Sequence, residues 1–315
     1  MTDFFFTIIK HIAIIIILIL SGLYLKRKGV IKESDRQLFG RMITDYILPA
    51  FIICGLLSQR PNIESLKIVP LMLLILFVSM ISAWSLGKML HLSPKKMGAF
   101  MLVLTVPSTS TLGYALISQI YTKNSAVLSD AIIVSEIGVG IPLFTIGVMI
   151  AMYYGEEHTQ FLHNIRGYFS SPIFFAVIIG LLSYFLPDDV YSLMTSVLLP
   201  IFTPISHALT VVVILSVALM LRPVQIRFIV LPALCAVLVK LVVEPFVALF
   251  FAHGAGLVDM QTTILVLSSS LPSGAVTAIL AEKYGCDGGL ASTLLVVTYC
   301  VAPLTIPIVA LFIGF

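Results

Sequence analysis

Two stretches of this chain gather hydroxyl groups around a single proline within otherwise apolar sequence. TVPSTSTLG runs from Thr105 to Gly113, and SSSLPSGAVT runs from Ser268 to Thr277. A proline inside a helix removes one hydrogen bond and clashes with the preceding turn. In lipid the freed backbone groups must find partners, so such breaks are tolerated inside protein or beside a wet cavity. After Pro107 and Pro272 a new half-helix would begin with unpaired N–H groups and the positive end of its dipole, which attract anions. Two such ends meeting at mid-depth would form a small anion site, built mostly from backbone. Ser108, Thr109, Ser110, Ser273 and Gly274 would supply its side chains and close approaches. The competing reading is an ordinary proline kink at each place, with Ser and Thr repairing their own backbone. The same composition occurring twice favours a site.

Ionisable residues inside apolar runs are the second chemical signal. Asp45 and Glu136 fall near the centres of their runs, and Lys240 and Glu244 share a third. Facing lipid, such a group would cost about 2.5–3.5 kcal/mol, so each must face the interior or a partner. Lys240 and Glu244 are four residues apart and therefore on one helix face, which suits a mutually neutralising structural ion pair. Asp45 and Glu136 have no partner on their own helix, which makes them candidates for coupling to H+ or Na+, against a buried structural role. His207 is either a proton relay or a packing residue. Cys54, Cys235, Cys286 and Cys300 are scattered without ligand spacing, so no metal site, disulfide or cofactor is expected.

These residues must be held by membrane helices. Of 315 residues, 59% are apolar and 10% charged, with mean hydropathy +1.12. A soluble domain carries about 25% charged residues. The excess apolar surface must face lipid, and long unbroken runs exclude an alternating β-barrel. The fold class is an all-α polytopic membrane protein. Breaks in the pattern give ten transmembrane segments near 5–25, 36–58, 66–90, 97–120, 127–154, 169–186, 192–221, 227–252, 260–283 and 289–314. The first run lacks a basic opening and a cleavage site, and so is expected to be a transmembrane helix rather than a signal peptide. No soluble domain is expected.

Orientation follows from the basic residues near the membrane edges. Thirteen Lys and Arg fall on one set of alternate loops, among them Lys26, Arg27, Lys28, Lys95, Lys96 and Arg166. Only Lys10, Arg60, Lys67 and Lys123 fall on the other. Both termini are therefore expected outside the cytoplasm and the central loop within it.

Ten segments around a mid-chain loop suggest two halves of five, which must then run in opposite senses, as in many secondary transporters. The proposed units are 1–155, a linker at 156–168, and 169–315. Pro107 in the fourth segment answers Pro272 in the ninth, and Pro142 in the fifth answers Pro307 in the tenth. Pro107 and Pro142 are 35 residues apart, and so are Pro272 and Pro307. Segments 4 and 9 would then be broken crossover helices.

The run LPSGAVTAILAEKY from Leu271 to Tyr284, then Leu290 to Thr293 and Pro303 to Pro307, resembles the C-terminal signature of the auxin efflux carrier family. Gly29 to Ile31, then Arg41 ahead of Leu48 to Ala50, is similar to that family's second-helix region. The resemblance implies a secondary transporter with two inverted five-helix repeats, the broken fourth and ninth helices lying beside the substrate. Members of the family export auxin or are associated with malonate, malate and related carboxylates. Many carry Pro-Asn-Thr at the first crossover, where this chain has Pro107, Ser108 and Thr109, a departure from the auxin-type contact. The short central loop fits a compact prokaryotic type.

The expected activity is alternating-access transport of a small organic anion, in the inner (plasma) membrane. A sodium-coupled carrier of the bile-acid type is the near rival, with the hydroxyls and carbonyls at the breaks holding Na+. A ligand sensor on the same fold is the rival from another class. An intramembrane enzyme would need a converging nucleophile, base or metal-ligand set, which the sequence lacks. No basic arm or face points to nucleic acid. The expected partners are the anion and membrane lipid, with the oligomeric state open, a homodimer included.

Overall fold

A computed structural model describes residues 2–58, 60, 66–113, 116–117, 121, 125–155, 169–221 and 226–313. Among them, seven helices are long and apolar enough to cross a membrane: Ile8–Arg27, Glu33–Ser58, Ile68–Met89, Ser129–Gly155, Asp188–Met220, Ile229–Gly254 and Gly288–Phe312. The sixth expected segment is a shorter apolar helix, Pro172–Ser183. The fourth and ninth are interrupted. Pro94–Thr105 ends at the first break, and a wide π-turn, Thr109–Gly113, follows it. Asp259–Ser269 ends at the second break, and Val276–Lys283 resumes after it. The linker at 156–168 and parts of the fourth segment lie outside the described residues. No β-strand occurs among the described residues; one isolated bridge joins Pro107 and Ser273.

Local sequence explains where helices start and stop. Ser171 caps Pro172–Ser183 by accepting the Phe174 N–H at 3.2 Å, with proline at the first helical position. Asp287 caps Gly288–Phe312 by accepting the Leu290 N–H at 2.9 Å. At a helix C-terminus, the Lys26 ammonium donates to the carbonyls of Leu219 and Leu221 at 2.8 and 3.1 Å, closing the end of Asp188–Met220.

Regular α-helix gives way to wider turns at three informative places. The π-turns Ile43–Ile47, Val134–Gly140 and Val239–Val243 each end two residues before a proline: Pro49, Pro142 and Pro245. A proline has no N–H to give, and its ring crowds the carbonyl four residues back. Those carbonyls belong to Asp45, Gly138 and Leu241, inside the three turns, and the helix answers by widening. Such π-bulges gather at functional positions. Asp45, Glu136 and Lys240 each sit on one.

Burial separates centre from rim. Every residue from Met97 to Leu104 and from Thr262 to Ser273 is buried, so the interrupted helices lie within the bundle. Ile17, Leu20, Phe77, Phe250 and Leu304 point outward, as side chains facing lipid should. A helix apolar on all sides is buried in protein or in membrane.

Candidate functional site

The two breaks meet. The Ser108 N–H donates to the Pro272 carbonyl at 2.8 Å, and the Gly274 N–H donates to the Val106 carbonyl at 2.9 Å. Pro107 and Ser273 face each other between these bonds. Glycine at 274 eases the approach, because a Cβ there would stand 3.3 Å from the Pro107 carbonyl oxygen, closer than ordinary contact. Ser273 donates its hydroxyl to the Val103 carbonyl at 2.7 Å and its N–H to Thr298 Oγ1 at 3.3 Å. Each half thus satisfies backbone groups that the other half's proline leaves without a helical partner.

A cavity lies against this junction. Ser108, Thr109 and Ser110 line it from the first break and Gly274, Ala275 and Val276 from the second, with Glu136 and Tyr299 beside them. Apolar residues including Ile15, Phe51 and Val213 form the wall. Buried Tyr299 donates its hydroxyl to Ser108 Oγ at 2.7 Å. Thr109 and Ser135 share a hydrogen bond at 2.8 Å, and Ser135 donates to Glu136 Oε1 at 3.4 Å. A line of hydroxyls therefore connects the first break to the buried carboxylate. Gly55 forms the seat of that carboxylate: a Cβ on it would lie 2.5 Å from Glu136 Oε2.

The cavity is narrow, about 60 Å³, and it adjoins a vestibule of about 590 Å³. Ile15, Phe51, Ser110, Glu136 and Thr210 line both and form the passage between them. His11, Ser58, Leu199 and His207 line the vestibule, which therefore opens toward the N-terminal end of the first helix. Pockets for small ligands usually measure some 300–1,000 Å³, so the vestibule is of that size and the cavity well below it.

The predicted site residues divide. Pro107, Ser108, Thr109, Ser110, Gly274 and Glu136 line the cavity together. Ser273 does not, because its side chain turns into the first half-helix and is wholly buried there. The expectation that the first N–H groups after each proline await an anion is likewise corrected. Those of Ser108 and Gly274 are spent on the opposite break.

Asp45 also departs from expectation. Its side chain is 52% exposed and accepts hydrogen bonds from Lys283 and Thr44, both at 2.9 Å. Beside it Arg36 pairs with Glu282 at 2.9 Å. Asp45 thus belongs to a pair of ion bridges joining the second segment to the end of Val276–Lys283, away from the cavity.

Lys240 and Glu244 do form the expected pair, at 2.6 Å and fully buried, and Lys240 also donates to the Thr105 carbonyl at 3.2 Å. His207 reaches the vestibule but does not line the cavity. Sequence reasoning missed Tyr299, Ser135 and Gly55. A tyrosine, a serine and a glycine in apolar runs carry no signal of their own; only the carboxylate next to Ser135 could have drawn notice. Among the described residues no group of His, Cys, Asp and Glu is arranged to hold a metal ion.

A family model described as membrane transport protein matches residues 7–310. An uncharacterized transporter of Methanocaldococcus jannaschii is 24% identical over 294 residues, covering 91% of this chain and 92% of that protein. An uncharacterized transporter of Methanothermobacter thermautotrophicus is 21% identical over 302 residues, covering 93% and 94% respectively.

Proposed function

Because the chain belongs to the membrane transport protein family, whose likeness here is to the auxin efflux carriers, we propose that it is a secondary carrier of a small carboxylate. In this reading 1–155 and 169–315 are inverted five-helix halves joined by the linker at 156–168. Segments 4 and 9 cross as broken helices, and the substrate sits where they meet. The observation that carries the proposal is the backbone pairing of the two breaks beside a cavity lined by Ser108, Thr109, Ser110 and Gly274. A carboxylate there would accept from hydroxyls and from the N–H groups at the start of each resumed helix.

Glu136 sets the electrostatics of this site. An anion entering beside an ionised buried carboxylate meets direct repulsion, so anion binding and proton binding at Glu136 favour each other. Such linkage is reciprocal. It gives a carrier a means to couple anion movement to H+, with no further charged group needed in the cavity. The orientation proposed is the one that the basic loops favour, with the vestibule on the non-cytoplasmic side of the inner membrane.

The test uses purified protein with malonate and malate as probes, followed by thermal shift and by uptake into proteoliposomes. Ser108→Ala should weaken binding by about 0.5–1.5 kcal/mol, the worth of one hydrogen bond. Ser108→Asn should be tolerated or should change the preference between probes. Ser108→Asp sets a fixed carboxylate where that of the substrate belongs, and should abolish anion binding while the protein still folds. Wild-type affinity in a folded Ser108→Asp protein would remove the anion from this cavity.

A further inference from the structure

The Lys240–Glu244 pair lies outside the cavity, yet it is attached to the first break. Thr105 is the last residue of Pro94–Thr105, and its carbonyl belongs to the unpaired, partially negative end of that half-helix. The Lys240 ammonium sits between this carbonyl, at 3.2 Å, and Glu244 Oε2, at 2.6 Å, and neither charged side chain is more than 1% exposed. Two more oxygens on the same residues, Thr105 Oγ1 and Glu244 Oε1, are buried without a hydrogen-bond partner in the described structure. Ser79, from Ile68–Met89, lies close to the same carboxylate.

An ion pair serving stability alone is a poor use of this position. Burying two charges costs several kcal/mol each, and well-packed apolar residues of similar volume often stabilise as well or better. The surroundings are also unlike those of a simple pair. A half-helix C-terminus and a carboxylate converge on one positive charge, both through oxygen, and the Ser79 hydroxyl stands by the same carboxylate. Unwound carbonyls and half-helix C-terminal ends are the groups with which carriers built on broken helices hold Na+.

We propose that this cluster is a monovalent-cation site whose occupant is tethered: the ammonium of Lys240 stands where a solute cation would otherwise bind. The break is then neutralised by the chain itself, and wild-type protein needs no Na+ to hold it. This deepens the carrier reading by leaving H+ as the coupling ion, but the site follows from Thr105, Lys240 and Glu244 alone.

Lys240→Met is the informative variant. Methionine keeps most of the apolar stem and ends one atom short of the ammonium, so it leaves a vacancy of about ammonium size beside Glu244 and Thr105. Thermal unfolding of the purified protein is compared in sodium, potassium and choline chloride at equal ionic strength. No carboxylate is added, so a failure here is distinct from a failure of the transport reading. A ligand that binds the native state alone raises its stability in a saturable way. Wild type should melt at the same temperature in all three salts. Lys240→Met should melt lower in choline and show a saturable upward shift with Na+ or K+. Lys240→Met combined with Glu244→Gln should lose that shift. A Na+-specific shift in wild type would overturn the proposal. So would a folded Lys240→Met protein indifferent to alkali cations, or one that fails to fold in every salt.

Discussion

Replacing Gly55 with alanine adds one methyl group against the carboxylate of Glu136. The new Cβ would stand 2.5 Å from Oε2, 2.7 Å from Cδ and 3.1 Å from Cγ, where ordinary contact begins at 3.4 Å. The carboxylate must therefore withdraw by about 0.9 Å, and the open direction is the cavity it already lines. Overpacking of this kind costs about 1–3 kcal/mol. Alanine within the Leu48–Ser58 helix returns about 1 kcal/mol over glycine. The net loss of about 0–2 kcal/mol leaves the fold intact. Function should change more. Two like charges about 4–6 Å apart at an effective dielectric of about 20 repel by roughly 3–4 kcal/mol, and bringing them about 1 Å closer adds roughly 0.6–1.4 kcal/mol. Malonate affinity in Gly55→Ala should therefore equal that of wild type at low pH and fall about three- to tenfold below it at high pH. Titrating malonate by thermal shift across pH reads this directly. Wild type should bind more tightly as pH falls, Glu136→Gln should bind independently of pH, and Asp45→Asn, whose carboxylate lies elsewhere, should follow wild type. A folded Gly55→Ala protein with the wild-type profile, or a Glu136→Gln protein that keeps its pH dependence, would refute the reasoning.

Two further outcomes are expected. Tyr299→Phe removes the buried donor that fixes the Ser108 hydroxyl and should weaken malonate binding by about 0.5–1.5 kcal/mol; unchanged affinity would show that this hydroxyl does not set the site. For orientation, Ser34→Cys and Ala255→Cys are introduced after replacing Cys54, Cys235 and Cys300, while Cys286 can stay because burial pushes its thiol up to about 12. In intact cells an impermeant maleimide should label position 255 and spare position 34, and the reverse pattern would invert the proposed topology.

What sequence could and could not disclose follows from the range of each interaction. The two breaks were legible because proline acts on its own helix, and Lys240 with Glu244 because four residues make one turn. Glu136 was legible as a buried carboxylate, though the seat that Gly55 provides was not. The misplacements have a common cause. Whether Ser273 faces the cavity depends on the pairing of two segments about 165 residues apart, since its hydroxyl is taken by Val103. Asp45 is claimed by Lys283, and Ser108 by Tyr299, over similar separations. Three of the π-turns, at 43–47, 134–140 and 239–243, were within reach of sequence reasoning: each precedes a proline by a fixed interval, a signal that α-helical periodicity alone passes over.

The tie between the two breaks is made of main chain. Its donors are the N–H groups of Ser108 and Gly274 and its acceptors the carbonyls of Pro272 and Val106, so apart from the close approach at 274 it does not depend on which side chains stand there. At position 108 only a proline would delete a donor. The fold therefore separates two properties that are usually entangled in a binding site. The frame is indifferent to the side chains of residues 108, 109, 110 and 299, which face the cavity beside Glu136. On the reading proposed above, specificity could be rewritten by exchanging those side chains, one or several at a time, with the junction left in place.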